Sequence, residues 1–361
     1  MPQGRRIRAE AARCRVLLLT ALAAFFCVQL AGGAIVERFR PGIRHKLLED
    51  RLAALRRQPS TPDLVFLGSS RFDLGLDANV LTSELRRSLD RPDFRAIGAA
   101  VPGSDFLVME KILDEMDRID MHPPTLVVEM VPFHLLDCNA WYNIDLYQVL
   151  TWSDIPEHLT EVVRSGQFGR LVASRLLPLV IHSDAILKNL CSPSLYVRET
   201  ERCPVPIIDD ADMARRMDPS GDTPADVERG HKGLESFARQ YRRQTIGGTS
   251  KAAFERILTR CARHGTRVLL VGAPVTSAHR EARAPIEDAY RKYMESVQAR
   301  FGVSFVDCGA ALPDALFADH HHLKRLAGTV VFSRYLAREV LAPWLDGRSP
   351  SIRLVSENLA R

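Results

Sequence analysis

Apolar residues fall into three patterns along the chain. The first is one unbroken run, residues 16–36, which reads VLLLTALAAFFCVQLAGGAIV with one amide, Gln29, and no charge. About 20 such residues suffice for a helix to cross a bilayer. The second is a set of short runs at residues 64–67, 94–100, 126–130, 267–271 and 303–307. These are continuous rather than alternating, as strands buried on both faces are. The third is helical spacing, at residues 78–89, 106–119, 250–264, 285–301 and 324–344. In 106–119 the apolar positions are Leu107, Ile112, Leu113, Met116 and Ile119. Thr249 or Ser250 reads as the N-cap of 250–264 and Gly265 as its stop.

Strands alternating with helices predict an α/β fold, a three-layer sandwich with a parallel sheet covered on both faces. One N-terminal transmembrane helix precedes it, and a mainly helical insertion interrupts it. The expected divisions are a basic tail (1–15), the apolar segment (16–36), a juxtamembrane helix and linker (37–62), the α/β domain (63–346) with its insertion (135–248), and a C-terminal tail (347–361). Ligands of such sheets bind beyond the carboxyl ends of the strands. Gly68-Ser69-Ser70, Pro102-Gly103-Ser104, Pro132-Phe133-His134 and Gly272-Ala273-Pro274 are expected along that edge.

Charge changes the picture at one end. The chain of 361 residues carries a net +5. Arg5, Arg6, Arg8, Arg13 and Arg15 stand against Glu10 alone ahead of the apolar run. The body is near neutral, so no nucleic-acid surface is expected. The arginines fit a cytoplasmic N-terminus with the body exported across the inner (cytoplasmic) membrane, on the periplasmic side. A signal peptide cleaved near Gly32-Gly33-Ala34, or a buried helix, remains the other reading of the run. Of seven cysteines, Cys191 and Cys203 could close a small loop in an oxidising compartment, and the five in the body leave one unpaired. No phosphate-binding loop or dinucleotide fingerprint occurs, so no cofactor is expected.

The candidate chemistry joins the two ends of the body. Ser70 ends the first strand, where a base could activate it as a nucleophile. Asp319 and His322 stand three residues apart in FADHHHLKRLAG (317–328), so Asp319 could orient His322 as that base. The amides of Ser70 and Gly103 are candidate oxyanion-hole donors. Arg71 reads as a substrate contact or a solvated arginine. Ser69 is the alternative nucleophile, and Glu129 faces the site or serves as a structural carboxylate. His134 reads as structural, and His320 and His321 as surface residues or substrate contacts. Trp141 and Tyr142, with Tyr147 and Trp152, suit sugar stacking or a packed cap. Three consecutive histidines in extended chain would point to alternate sides, so no metal is expected.

These residues resemble the SGNH (GDSL-like) hydrolase superfamily, and within it the membrane-anchored branch of teichoic-acid D-alanyl transfer and alginate O-acetylation proteins. FLGSSR, with Ser70, resembles the nucleophile block. GAAVPGS, with Gly103, resembles the oxyanion block, and DHHHLKRLAG resembles the Asp-x-x-His block. The match covers residues 63–136 and 250–340. Gly98 stands where an asparagine is frequent, and VVEMVPFHLLD replaces a Gly-x-Asn-Asp block that Asn139 or Asn143 could supply. The resemblance implies a serine O-acyltransferase or esterase acting on acyl groups, acetyl foremost, of an envelope or exported polysaccharide. It also implies a membrane-bound O-acyltransferase as partner. The alternative is a non-catalytic envelope protein of the same fold that binds glycan or that partner.

Overall fold

The computed structural model describes residues 3–39, 45–137, 146–150, 154–164, 168–183, 224–243, 245–325 and 327–348. In chain order these form α1 (Gln3–Phe39), α2 (Lys46–Arg56), β1 (Leu64–Leu67), α3 (Ser70–Gly75), α4 (Ala78–Leu89), β2 (Ala96–Gly98), α5 (Phe106–Arg118) and β3 (Thr125–Met130). Then come α6 (Leu146–Val149), α7 (Ile155–Arg164), α8 (Phe168–Leu176), α9 (Pro178–Ile181), α10 (Pro224–Arg243) and α11 (Gly248–His264). The chain continues through β4 (Arg267–Gly272), α12 (Ser277–Phe301), β5 (Ser304–Asp307), α13 (Ala327–Tyr335) and α14 (Ala342–Leu345). Short 3-10 turns lie at Pro132–Leu135 and Asp314–Leu316.

The fold is α/β, built on one parallel five-stranded sheet in the order β2-β1-β3-β4-β5. Val65 pairs with Ile97 on one side and Leu126 on the other, and Val127 pairs with Leu269. β1 and β3 are buried along their whole length. This is why β1 reads as an unbroken apolar run, LVFL, and β3 as the apolar run Leu126–Val128 followed by the buried Glu129 and Met130.

Several helix boundaries differ from the sequence expectation, each for a physical reason. α11 begins at Gly248 with Gly247 as N-cap, and the Thr249 and Ser250 side chains are buried in its first turn instead of capping it. α12 begins eight residues before Pro285, because Thr276 caps it by accepting the His279 amide (3.3 Å). The last helical stretch starts at Ala327 and widens into a π-helix at Leu336–Leu341 just ahead of Pro343. A proline inside a helix lacks a donor and crowds the carbonyl four residues earlier, and a π-turn there makes room. The juxtamembrane segment divides between the end of α1 and α2.

The chain separates into two compact units, residues 1–49 with 145–200 and residues 50–144 with 201–361. The larger holds the sheet and a continuous core that includes Phe66, Phe72, Val127, Leu269, Phe332 and Leu336. The smaller holds α1 and α6–α9. Residues Glu10–Val36 of α1 are long and apolar enough to cross a membrane.

Candidate active site

Glu129, near the end of β3, shapes the turn that carries the candidate nucleophile. Its side chain is fully buried. It accepts the Ser69 amide (2.7 Å), the Ser69 hydroxyl (2.7 Å) and the Phe72 amide (3.2 Å). The first N–H groups of a helix have no carbonyl four residues back, and here one carboxylate serves two of those around the start of α3. The close approach requires Gly68: a Cβ there would stand 2.6 Å from Glu129 Oε2 and 2.8 Å from Phe72 Cβ. Ser69 is thereby committed to structure, and Ser70 is left as the hydroxyl that turns away from Glu129.

Ser70 Oγ lies 2.8 Å from His322 Nε2, across 252 residues of sequence. His322 Nδ1 lies 2.7 Å from Asp319 Oδ2. The pattern fits the tautomer in which Nδ1–H donates to Asp319 and Nε2 accepts from Ser70. Asp319 Oδ1 also accepts the backbone amides of His321 (2.8 Å) and His322 (2.7 Å). One carboxylate therefore bends the chain with one oxygen and orients the imidazole with the other. Burial works against its charge, but His322 and the His321 amide outweigh burial and hold its pKa below the ordinary carboxylate range. The bend sits in a small loop closed by a Phe317–Leu323 bridge. The loop is tied down by Thr276, whose amide and hydroxyl both donate to the His320 carbonyl (3.2 and 3.0 Å).

Gly103 lies in the loop after β2 with φ 73°, beside Ser104, whose hydroxyl donates to the Gly68 carbonyl (2.7 Å). That bond ties the second loop to the nucleophile turn. Trp141 and Tyr142 lie outside the described residues, as do Tyr147's side chain, Trp152, Asn139, Asn143, Cys191 and Cys203.

Three expectations need correction. Arg71 is not solvated; it is 6% exposed, with Nη1 3.7 Å from Glu129 Oε1 and its guanidinium carbon 5.9 Å from the centre of the Phe237 ring. Its Nε and Nη2 are buried without a hydrogen-bond partner. His320 and His321 are not surface residues; both are half-buried and pack edge-on against Phe237. Nor is the chain extended at the three histidines, because Asp319 bends it. His279, His320 and His321 consequently hold ring nitrogens within 4.8 Å of one another, a set that could gather a divalent metal. The positive charge of Arg71 opposes this. After burial itself, it is among the influences that push His279 down to about 2 and His321 well below the ordinary imidazole range. Both rings are therefore neutral at ordinary pH.

The sequence gives no sign of Phe237, Tyr241 or His279 as neighbours of this site. Phe237 and Tyr241 come from α10, and the Tyr241 hydroxyl lies 3.2 Å from His279 Nε2. Burial lifts the Tyr241 phenol to about 12, so it stays protonated. His134, buried and edge-on to Phe106 (5.6 Å), is a packing residue.

No protein-family model matches the sequence, and no curated protein matches it. Among solved structures the chain is similar to LAE5, described as an alpha/beta hydrolase enzyme from the metagenome of Lake Arreo, Spain. That match has 13% identity and a TM-score of 0.34, and covers 78% of this chain and 96% of that one. It is also similar to a structure from Streptococcus pneumonia whose description assigns it provisionally as a platelet activating factor. Here the identity is 10% and the TM-score 0.33, with 83% of this chain and 94% of that one covered.

Proposed function

We propose that the chain is a membrane-anchored serine acyl-transfer enzyme of the SGNH type, with the three-layer arrangement of that superfamily. The observation that carries the reading is the hydrogen-bonded series Ser70–His322–Asp319. In the first half-reaction His322 Nε2 takes the Ser70 proton as Oγ attacks the acyl carbonyl. The carbonyl oxygen becomes an oxyanion, and the N–H groups of Ser70 and Gly103 are the donors assigned to it. The bond to the leaving alcohol breaks, and His322 returns the proton to that alcohol. An acceptor hydroxyl then gives its proton to His322 and attacks the Ser70 ester, which regenerates the free serine. Asp319 stays ionised throughout and stabilises the imidazolium.

The acyl group is acetyl in this reading, and the acceptor is a polysaccharide of the envelope or an exported one. Arg71 stands next to Ser70 in sequence with two guanidinium nitrogens, Nε and Nη2, that have no hydrogen-bond partner, which suits a contact with a polar substrate group. Trp141 and Tyr142 are proposed sugar contacts. A membrane-bound O-acyltransferase is the proposed donor partner. α1 is proposed as a retained span of the inner membrane with the body on the periplasmic side. Gln29, Gly32 and Gly33, which a cleaved signal peptide would remove or expose, pack against Pro178 and Leu179. That packing favours retention.

The test uses full-length protein in detergent with a fluorophosphonate probe and p-nitrophenyl acetate. Labelling is expected to vanish in Ser70→Ala and acetate release in Ser70→Ala and His322→Ala. Asp319→Asn is expected to retain labelling at a rate lower by about 10⁴-fold. Labelling that persists in Ser70→Ala would sink the assignment of the nucleophile. A wild type that neither labels nor releases acetate, even with membranes from its source, would favour the non-catalytic glycan-binding reading.

A further inference from the structure

Outside α1, the exposed large apolar side chains among the described residues are Leu159 and Val163 on α7, Phe168 and Leu176 on α8, and Val180 and Ile181 on α9. Each is between 37% and 56% exposed. Among the described side chains of α7, the exposed ones at 156, 159, 160 and 163 lie on one helical face and are Pro, Leu, Thr and Val. His158 and Val162 on the same helix are buried. A helix lying on a water-soluble body turns its polar face outward; the exposed side chains described on α7 are mainly apolar. Patches of this kind mark surfaces meant for a protein or a membrane.

The position of α9 on α1 identifies the occupant. Gln29 Oε1, buried in an otherwise apolar run, accepts the Leu179 amide (3.1 Å). The helices touch closely there: a Cβ on Gly32 would lie 2.7 Å from Leu179 Cδ1, and one on Gly33 2.3 Å from Pro178 Cγ. The apolar stretch of α1 ends at Val36. At a rise of 1.5 Å per residue, Gln29 and Gly33 lie about 5–10 Å before that end. Interfacial helices bury their apolar faces to about the same depth, 5–10 Å into the headgroup–acyl boundary.

The geometry points to a second membrane attachment: α7, α8 and α9 lie in the lipid interface where α1 leaves the bilayer, with Leu159, Val163, Phe168, Leu176, Val180 and Ile181 facing the acyl chains. The inference rests on the reading of α1 as a span. It makes the small unit a monotopic platform as well as a tether.

Full-length protein carrying p-benzoylphenylalanine at Val163, Val180 or Ile181 would be placed in vesicles of phosphatidylethanolamine and phosphatidylglycerol. After irradiation, lipid adducts would be read by mass spectrometry. Phe25, exposed on α1, reports on the span, and Asp288, whose side chain is 87% exposed, is the aqueous control. Lipid adducts are expected at Phe25 and at all three test positions, with none at Asp288. Adducts at Phe25 but not at the test positions would overturn the platform and leave the span intact. So would adducts to a second copy or another protein at those positions. No adduct at Phe25 would overturn the span itself, and the platform with it.

Discussion

In the unit formed by residues 50–144 and 201–361, large apolar side chains turn inward. Leu64, Leu67, Val127, Leu269 and Leu270 are 0% exposed, and none of the exposed large apolar residues among those described belongs to it. The unit formed by residues 1–49 and 145–200 reverses this. It contains all of them, from Val16 to Ile35 and from Leu159 to Ile181. Both units also bury polar groups. The sheet unit buries Glu129, Arg71 and Asp105 to build its turns, whereas the small unit buries Gln29 to join two helices. The difference teaches that one chain carries two kinds of surface, a body that buries its large apolar side chains and a unit that leaves many of them exposed. Total hydrophobicity cannot show this, because it averages the two units.

The comparison breaks first if the inward polar groups of the sheet unit prove dispensable. Glu129→Ala leaves Arg71 buried without its counter-charge and the Ser69 amide without its acceptor. It is expected to cost about 3–5 kcal/mol, read by urea unfolding of the full-length protein in detergent. A loss below about 1 kcal/mol would place Glu129 among incidental ion pairs. A matched pair of truncations tests the apolar side. Leu270→Ala is expected to cost about 2–5 kcal/mol, and Val180→Ala to stay within about 0.5 kcal/mol. Equal costs would mean that Val180 is packed after all.

Gly68→Ala sharpens the account of the nucleophile turn. Its Cβ meets Glu129 and Phe72 at under 3 Å, so about 1–3 kcal/mol of strain is expected, together with a slower fluorophosphonate reaction. Unchanged labelling would show that the turn has slack. The smallest effect concerns Asp105, the buried N-cap of α5, which accepts the Leu107 and Val108 amides (3.0 and 3.4 Å). Burial raises its pKa from 3.8 to about 6. The folded state therefore holds this proton more tightly than the unfolded chain. Its contribution is complete below 3.8 and is lost as pH rises through about 6. Asp105→Asn keeps the cap and removes that loss, so the variant should gain on wild type as pH rises across this window. A gain that is flat or reversed would refute the sign. Asp73, also raised to about 6 by burial despite its Arg51 partner, keeps part of the dependence in both proteins.

The parallel sheet is legible because strands buried on both faces favour continuous apolar runs: β1 is one at residues 64–67, and the run read at 126–130 falls in β3 with Glu129 as its one charged residue. Ser70, Asp319 and His322 were legible because each stands at a break in pattern, where a strand or helix yields to a turn. What was hidden depends on partners far away in sequence. Arg71 looks solvated until Glu129 and Phe237 are brought to it. His320 and His321 look alternately directed until Asp319 binds the amides that bend them together. Phe237, Tyr241 and His279 occupy ordinary helical positions, and nothing local sets them apart. The start of α12 was misplaced because Pro285 resembles a first-turn proline, while the true cap, Thr276, is an unremarkable threonine.

The distance in sequence between Ser70 and His322 also has a consequence in time. The serine leaves the ribosome 252 residues ahead of the histidine that would deprotonate it. At roughly 5–20 residues per second, the growing chain carries a bare hydroxyl for on the order of tens of seconds. In that interval Glu129 has been made, while the loop bearing Asp319 and His322 has not. The order of translation thus sets an order of assembly: the Ser70–His322 hydrogen bond can form only after the final segment of the fold has been made.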